Sequence, residues 1–243
     1  MSGLKFSIVM GIYRRPTQFR NTLMSIRKQS YRPAEIICTD DGVNPDSDET
    51  REICKEFGVD YYQRINRPED KYVNSAIPLN ISIKRATGDI LIIQCPECRY
   101  EEWEGIEKLI TPVLENPLVT TTARVQSLNP QGEFDAWILN REHNWRFLNF
   151  CQAVRRDVVM RIGGFDEQFK GPGFDDDDFE LRLFAQGVTP MYVDTLVSHQ
   201  YHTYWQRGEA DFNLARCMQT RVRVGQGEKP IANEGVDWGN INS

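Results

Sequence analysis

The sequence has no long apolar run, no excess of positive charge and only three histidines, and each shortage removes a class of function. Its longest uninterrupted aliphatic run is Ile90 to Ile93, far short of the roughly 18 apolar residues that a membrane-spanning helix needs. Lys and Arg number 29 against 35 Asp and Glu, a net charge of −6. A chain so short of positive charge lacks the phosphate affinity of a general nucleic-acid binder. No repeat and no low-complexity stretch is present, which excludes solenoids and linkers. Six cysteines are scattered through 243 residues, and no second C-x-x-C accompanies Cys95-Pro96-Glu97-Cys98. A structural zinc would lack half its ligands and a thioredoxin-type site would stand unusually late, so free and mostly buried thiols are expected. The opening stretch MSGLKFSIVMGIYRR has no apolar core and cleavage site of the secretory kind. It reads as entry into a buried strand, with a cytoplasmic location as the expectation.

What the sequence does have is alternation. Short apolar strand-like runs at 6–10, 35–39 and 90–94, with a further strand near 59–64, are separated by a helix that opens at Pro16-Thr17 and by stretches with helical spacing at 48–57 and about 75–87. Phe19, Leu23 and Ile26 share one helical face, and Ile53 and Phe57 share another before Gly58 stops the helix. Continuous apolar strands alternating with amphipathic helices predict a parallel sheet covered on both faces, a Rossmann-like half over residues 1–100. Beyond a helix at 103–116 the composition turns toward β, with strands expected at 118–128, 147–154 and 191–197. Helices are expected at 156–162, 175–186 and from about Trp205 to Val224. The expectation is an α/β fold with an open mixed sheet, one domain over 1–225 with its second half at 101–225, and a loose polar tail at 226–243.

Ligands of open parallel sheets bind beyond the carboxyl ends of the strands. Those ends carry Gly11-Ile12-Tyr13-Arg14-Arg15, Asp40-Asp41-Gly42 and Cys95-Pro96-Glu97. The guanidinium fork of Arg14 or Arg15 suits a diphosphate, although either could be a solvated loop charge. Asp40 and Asp41 suit the hydrogen-bond donors of a nucleoside, although Asp-Gly is also a turn pair. Glu97 is a hard oxygen ligand placed near such a diphosphate. His199 and His202 are either packed aromatic-patch residues or metal ligands beside carboxylates. His143 carries no signature of its own. In GPGFDDDDFELRL, residues Asp175 to Asp178 and Glu180 cannot all face one site, because helical neighbours point in different directions. They serve either as an acidic helix start or as the source of a general base.

Taken in order, FSIVMGIYRRP, AEIICTDDG and NSAIPLNISIKRATGDILII resemble the amino-terminal half of family 2 glycosyltransferases. VRRDVVMRIGGFDEQFKGPGFDDDDFELRL resembles the carboxyl-terminal region of galactosyltransferase-like enzymes. The match spans roughly residues 5 to 202. The resemblance implies a GT-A type nucleotide-sugar-binding fold, a divalent cation, Mn²⁺ or Mg²⁺, and transfer of a sugar with inversion from a nucleotide-sugar donor to an acceptor hydroxyl. That acceptor could be a glycan, a lipid-linked sugar or modified nucleic acid. Carried over by motif, Asp40 and Asp41 match the nucleoside-binding pair and Asp176 the general base. Asp175 replaces the preceding Glu that helps hold the acceptor. Cys95-Pro96-Glu97 falls on the metal motif D-x-D, retaining only Glu97, and His199 or His202 matches the late metal-binding histidine. Leu79 stands where the family has Arg, and Gly11-Ile12 where it has Pro-Thr. Two other functions stay open: a non-catalytic nucleotide-sugar or carbohydrate-binding module of the same fold, and a nucleotidyltransferase. The latter is disfavoured because no Gly-rich phosphate loop follows the first strand.

Overall fold

The computed structural model describes residues 3–42, 45–66, 74–142, 146–203 and 208–240. The chain opens with β1 (Phe6–Ile12), α1 (Pro16–Arg27), β2 (Glu35–Asp40), α2 (Ser47–Glu56), β3 (Tyr61–Arg64), α3 (Ala76–Arg85) and β4 (Ile90–Gln94). These four strands pair in parallel in the order β3-β2-β1-β4. Side chains alternate across them. Ile8, Met10, Ile12, Ile36 and Cys38 pack into one core, while Val9, Ile37, Leu91 and Ile93 pack into another. Strands buried on both faces are apolar along their middles, as β1, β2 and β4 are, whereas β3 at the sheet edge is half-buried and carries Gln63 and Arg64.

The second half adds β5 (Cys98–Tyr100), α4 (Gly105–Glu115), β6 (Val119–Leu128), β7 (Phe134–Leu139), β8 (Cys151–Arg155), α5 (Arg156–Arg161), α6 (Asp175–Ala185), β9 (Thr189–His199) and α7 (Ala210–Gly225). Here the sheet becomes mixed. β8 is antiparallel to both β4 and β6, β9 runs parallel to β6, and β5 closes the edge antiparallel to β9. Helices α1, α2 and α4 pack on one face, and α3, α5 and α6 on the other. The expected open mixed sheet with helices on both faces is present. Among the described residues the six cysteines are free, five buried and Cys95 half-buried.

Two strands went unforeseen: three-residue β5 is too short for a periodic signal, and β7 is largely exposed. The strand expected at 147–154 is confined to Cys151–Arg155, and the last helix begins at Ala210 instead of Trp205; residues 204–207, like His143, lie outside the described residues.

The largest correction concerns the tail, which is not a loose extension. The Ala232 N–H donates to the Ile162 carbonyl at 2.8 Å, and the Asn233 amide donates to the carbonyls of Gly163 (2.9 Å) and Phe165 (2.7 Å). Trp238 is buried in the second core, with the Lys84 ammonium 4.5 Å from its ring centroid. Its polar composition reads as solvated, yet one indole and a few side-chain amides suffice to bind it to the domain. Trp238→Ala is expected to lower the unfolding free energy by about 3 kcal/mol, the usual cost of truncating a buried aromatic. A denaturant titration checks it; an unchanged midpoint would mean the tail contributes nothing.

Candidate active site

In the strand order β3-β2-β1-β4, the connections reverse direction between β1 and β4, and the crevice at such a switch point is where ligands enter open α/β sheets. A cavity of about 490 Å³ lies there, within the range of small-molecule sites. Gly11, Ile12, Tyr13 and Arg15 line it from the end of β1, and Ile93 to Glu97 from the end of β4. Asp175, Asp176, His199 and His202 complete the wall. The end of β1, the end of β4 and the acidic turn at 175–176, each 78 positions from the next along the chain (93 − 15 and 175 − 97), therefore share one space.

The meeting of Glu97 with the histidines follows from the strand that sequence reasoning missed. Cys98 of β5 pairs with His199 of β9, so Glu97 and the end of β9 become neighbours. Gln200 then donates to the Glu97 carbonyl through its backbone and side-chain nitrogens, both at 3.0 Å. His199 Nε2 lies 3.5 Å from Glu97 Oε1, and the two imidazole rings are 5.2 Å apart. Glu97, His199 and His202 each offer a ligand atom within 4.8 Å of the others. On the other side, Arg15 Nη1 donates to the same Glu97 Oε1 at 2.6 Å. Burial works to raise the Glu97 carboxyl, but Arg15 and the two histidines outweigh it and hold the group at about 2. Its second oxygen, Oε2, is buried and accepts no hydrogen bond among the described residues.

The run of aspartates resolves into separate duties. Asp178 turns inward to Arg182, which donates from Nε (2.9 Å) and Nη2 (2.7 Å) to one carboxylate oxygen. Asp177 accepts the forked guanidinium of Arg146. Asp175 Oδ2 accepts from Ser75 Oγ at 2.9 Å, and its Oδ1 from the Gly173 N–H at 3.1 Å. That leaves Asp176 facing the cavity, its carboxyl pushed well above the usual range by burial and by the charges of Asp175, Asp177 and Glu180, with Arg146 opposing. Asp175 is raised by burial as well, against its hydrogen bonds. The turn before α6 places Phe174 in the left-handed region (φ 65°), after Gly173 at φ 117°, which glycine alone adopts without strain.

Other expected residues lie at the same sheet edge but outside the cavity lining. Asp40 accepts from the Tyr62 hydroxyl at 2.9 Å, and the Asp41 N–H donates to the Ile12 carbonyl at 2.7 Å. Arg14 stacks over the Tyr13 ring at 5.6 Å. Sequence reasoning missed Ser75 and Asn149. Asn74-Ser75 before α3 carried a readable signal, since the Asn74 side chain caps the Ile77 N–H at 3.1 Å. Asn149 lines the cavity, and its buried amide has no partner among the described residues; no pattern in the sequence marks it.

A family model described as glycosyl transferase family 2 matches residues 7–163, more than half of the chain. The chain belongs to this family. A second model, described as N-terminal domain of galactosyltransferase, matches residues 141–206 of the same family 2 chain. EpsE of Bacillus subtilis (strain 168), named as a glycosyltransferase, is 35% identical over 94 residues, covering 38% of this chain and 33% of that protein. A crystal structure of GalNAc-T7 with UDP, GalNAc and Mn²⁺ superposes with a TM-score of 0.70 at 16% identity, over 89% of this chain and 48% of that one. Mannosyltransferase PcManGT from Pyrobaculum calidifontis, in complex with GDP-Man and Mn²⁺, gives 0.64 at 14% identity, over 95% and 66%. The chain thus spans a third to two thirds of the length of these proteins, and the expected GT-A fold is the one it shares with the two structures. No helix among the described residues is long and apolar enough to cross a membrane.

Glu180, on the turn after Asp176, accepts from the Gln152 amide, and burial raises its carboxyl to about 8 against that hydrogen bond. An acid raised on folding stabilises fully below its unfolded value, and that stabilisation is lost as pH rises toward the folded value. Glu180→Gln should therefore match wild type near pH 4 and become progressively more stable than wild type up to about pH 8. Urea midpoints across that range test it; a gap independent of pH would contradict the buried-acid assignment.

Proposed function

We propose that this chain transfers a sugar, with inversion, from a nucleotide-sugar donor to an acceptor hydroxyl of a glycan, lipid-linked sugar or modified nucleic acid. The observation that carries the reading is the joint presence, in one cavity, of a raised carboxylate at Asp176 that accepts no hydrogen bond among the described residues and a buried Glu-His-His set at Glu97, His199 and His202. The likeness to family 2 and to structures holding UDP or GDP-Man with Mn²⁺ supports the same donor class.

The Glu-His-His set fits a divalent cation, Mn²⁺ or Mg²⁺, on its own chemistry. Its donor atoms converge, Glu97 remains ionised, and one of its oxygens is buried without a hydrogen bond. When bound, such an ion supplies charge neutralisation for the departing nucleoside diphosphate. Arg15 lines the same wall and adds a fixed positive charge for that diphosphate. Asp40 and Asp41, at the neighbouring strand end, serve the nucleoside, with Gly11 and Tyr13 beneath it. Gly11 lets α3 pack close against the end of β1, since a Cβ there would lie only 3.1 Å from the Pro78 ring and 3.3 Å from the Leu79 nitrogen. Asp176 takes the proton of the acceptor hydroxyl as its oxygen attacks the anomeric carbon from the face opposite the diphosphate, which inverts that centre. Asp175, fixed by Ser75 and the Gly173 N–H, orients the acceptor. A carboxylate raised by burial is a stronger base once ionised, so the shift at Asp176 suits the task.

Asp176→Asn is expected to lower sugar transfer by about 10²- to 10⁴-fold while stabilisation by nucleotide sugar and Mn²⁺ in a thermal-shift assay stays intact. Transfer near the wild-type rate would remove Asp176 from the base role. Binding without nucleotide release on any acceptor, in the wild type, would favour a binding module. A second check is the acidic limb of the pH–rate profile. Arg146→Gln removes the cation that opposes the Asp176 shift, so the limb should move to higher pH; an unmoved limb would separate the rate from this carboxyl.

A further inference from the structure

The geometry points to Arg15 as a resident counter-ion of the metal site, occupying Glu97 until a divalent cation and a nucleoside diphosphate arrive together. This inference rests on the metal-dependent reading above and concerns how that site is loaded.

Arg15 Nη1 lies 2.6 Å from Glu97 Oε1, the same oxygen that His199 Nε2 approaches at 3.5 Å. Both Arg15 and Glu97 are largely buried and line the cavity. A cation bound to Glu97, His199 and His202 would sit next to the guanidinium, and two positive charges at such short range repel strongly where water is scarce. Arg15 and the cation therefore compete for one carboxylate. The side chain has a second destination in the same cavity, since a diphosphate would present anionic oxygens that match the guanidinium fork.

The backbone is committed to this placement. Arg14 and Arg15 are consecutive non-glycine residues in the left-handed region, at φ 61° and 65°. Arg15 also precedes Pro16 at the first turn of α1, where the proline ring favours extended conformations for the residue before it. Strain of this kind persists only where the surroundings impose it, and it gathers at functional positions. The short strand-to-helix turn aims the Arg15 side chain across the switch-point crevice onto Glu97.

The consequence is coupling. Without nucleotide, Arg15 holds Glu97 and depresses affinity for the metal. With diphosphate present, Arg15 transfers to the phosphate oxygens and frees Glu97, so each ligand strengthens the other by the same factor.

The test titrates Mn²⁺ alone into nucleotide-free protein and follows the electron paramagnetic resonance signal of unbound Mn²⁺. Arg15→Gln is expected to bind Mn²⁺ about tenfold tighter than wild type, with Arg15→Lys, which keeps the charge but not the fork, in between. Adding UDP or GDP should raise Mn²⁺ affinity more in wild type than in Arg15→Gln. Equal or weaker Mn²⁺ binding by Arg15→Gln without nucleotide overturns the exchange while leaving the metal site standing. If neither protein takes up Mn²⁺ even with UDP or GDP, or if Glu97→Gln binds it as well as wild type, the metal centre itself falls and the exchange with it.

Discussion

The geometry of the site depends on one buried ion pair. Arg182 and Asp178, both almost fully buried, lie one turn apart on α6. The Arg182 guanidinium reaches past its partner to donate to the carbonyls of Ile162 (3.0 Å) and Gly164 (2.6 Å). A buried charge is tolerable only when paired and hydrogen-bonded, so the rotation of α6 about its axis is fixed by where Arg182 must go. With Asp178 directed inward, Asp175 and Asp176 point to the cavity and Asp177 to Arg146. The acidic run is thereby sorted by a basic residue four positions beyond it.

The turn that receives Arg182 is itself constrained from three sides. Gly163 and Gly164 both have positive φ, and a Cβ on Gly164 would stand 2.5 Å from Asn80 Oδ1. Asn80 accepts from the Phe165 N–H and donates to its carbonyl, both at 2.8 Å, which ties α3 to the turn. The tail adds Asn233, which donates to the carbonyls of Gly163 and Phe165, the second of which Asn80 also engages. Since Ser75 at the start of α3 also holds Asp175, α3, α6 and the tail form one rigid support for the acidic wall. Rigid support of this kind lets a carboxylate keep an unfavourable charge state without shifting away.

The opposite wall follows a different logic. It is made from strand ends, where β1 and β4 lie side by side in parallel register and their following residues, Arg15 and Glu97, are neighbours although 82 positions apart in the chain. The chain keeps a carboxylate at Glu97 but has Cys95 two positions earlier. The Cys95 thiol donates to the Asn149 carbonyl at 3.9 Å, and although the neighbouring Cys98 lowers it, burial and the charges of Glu97 and Asp176 raise it on balance. It thus remains a neutral lining group beside a charged cluster.

Much of this was legible in the sequence because it is written in local patterns. Apolar runs specified the parallel strands, since a strand covered on both sides has no polar face to hide, and helical spacing specified which side of α1 and α2 is buried. Motif order also marked Glu97, Asp176, His199 and His202 as site residues, and the cavity brings them together. Composition misled at the tail, where polar residues turned out to be hydrogen-bonded inward. Periodicity was silent for β5, whose three residues carry no measurable alternation yet bring Glu97 to His199. Local sequence alone determined the elements and the kinds of chemistry available, because backbone propensity and side-chain type act over a few residues. Only the tertiary structure decided which partner holds each aspartate of the acidic run and which cation shares Glu97, because those choices are set by desolvated charge pairs and hydrogen bonds between segments far apart in the chain.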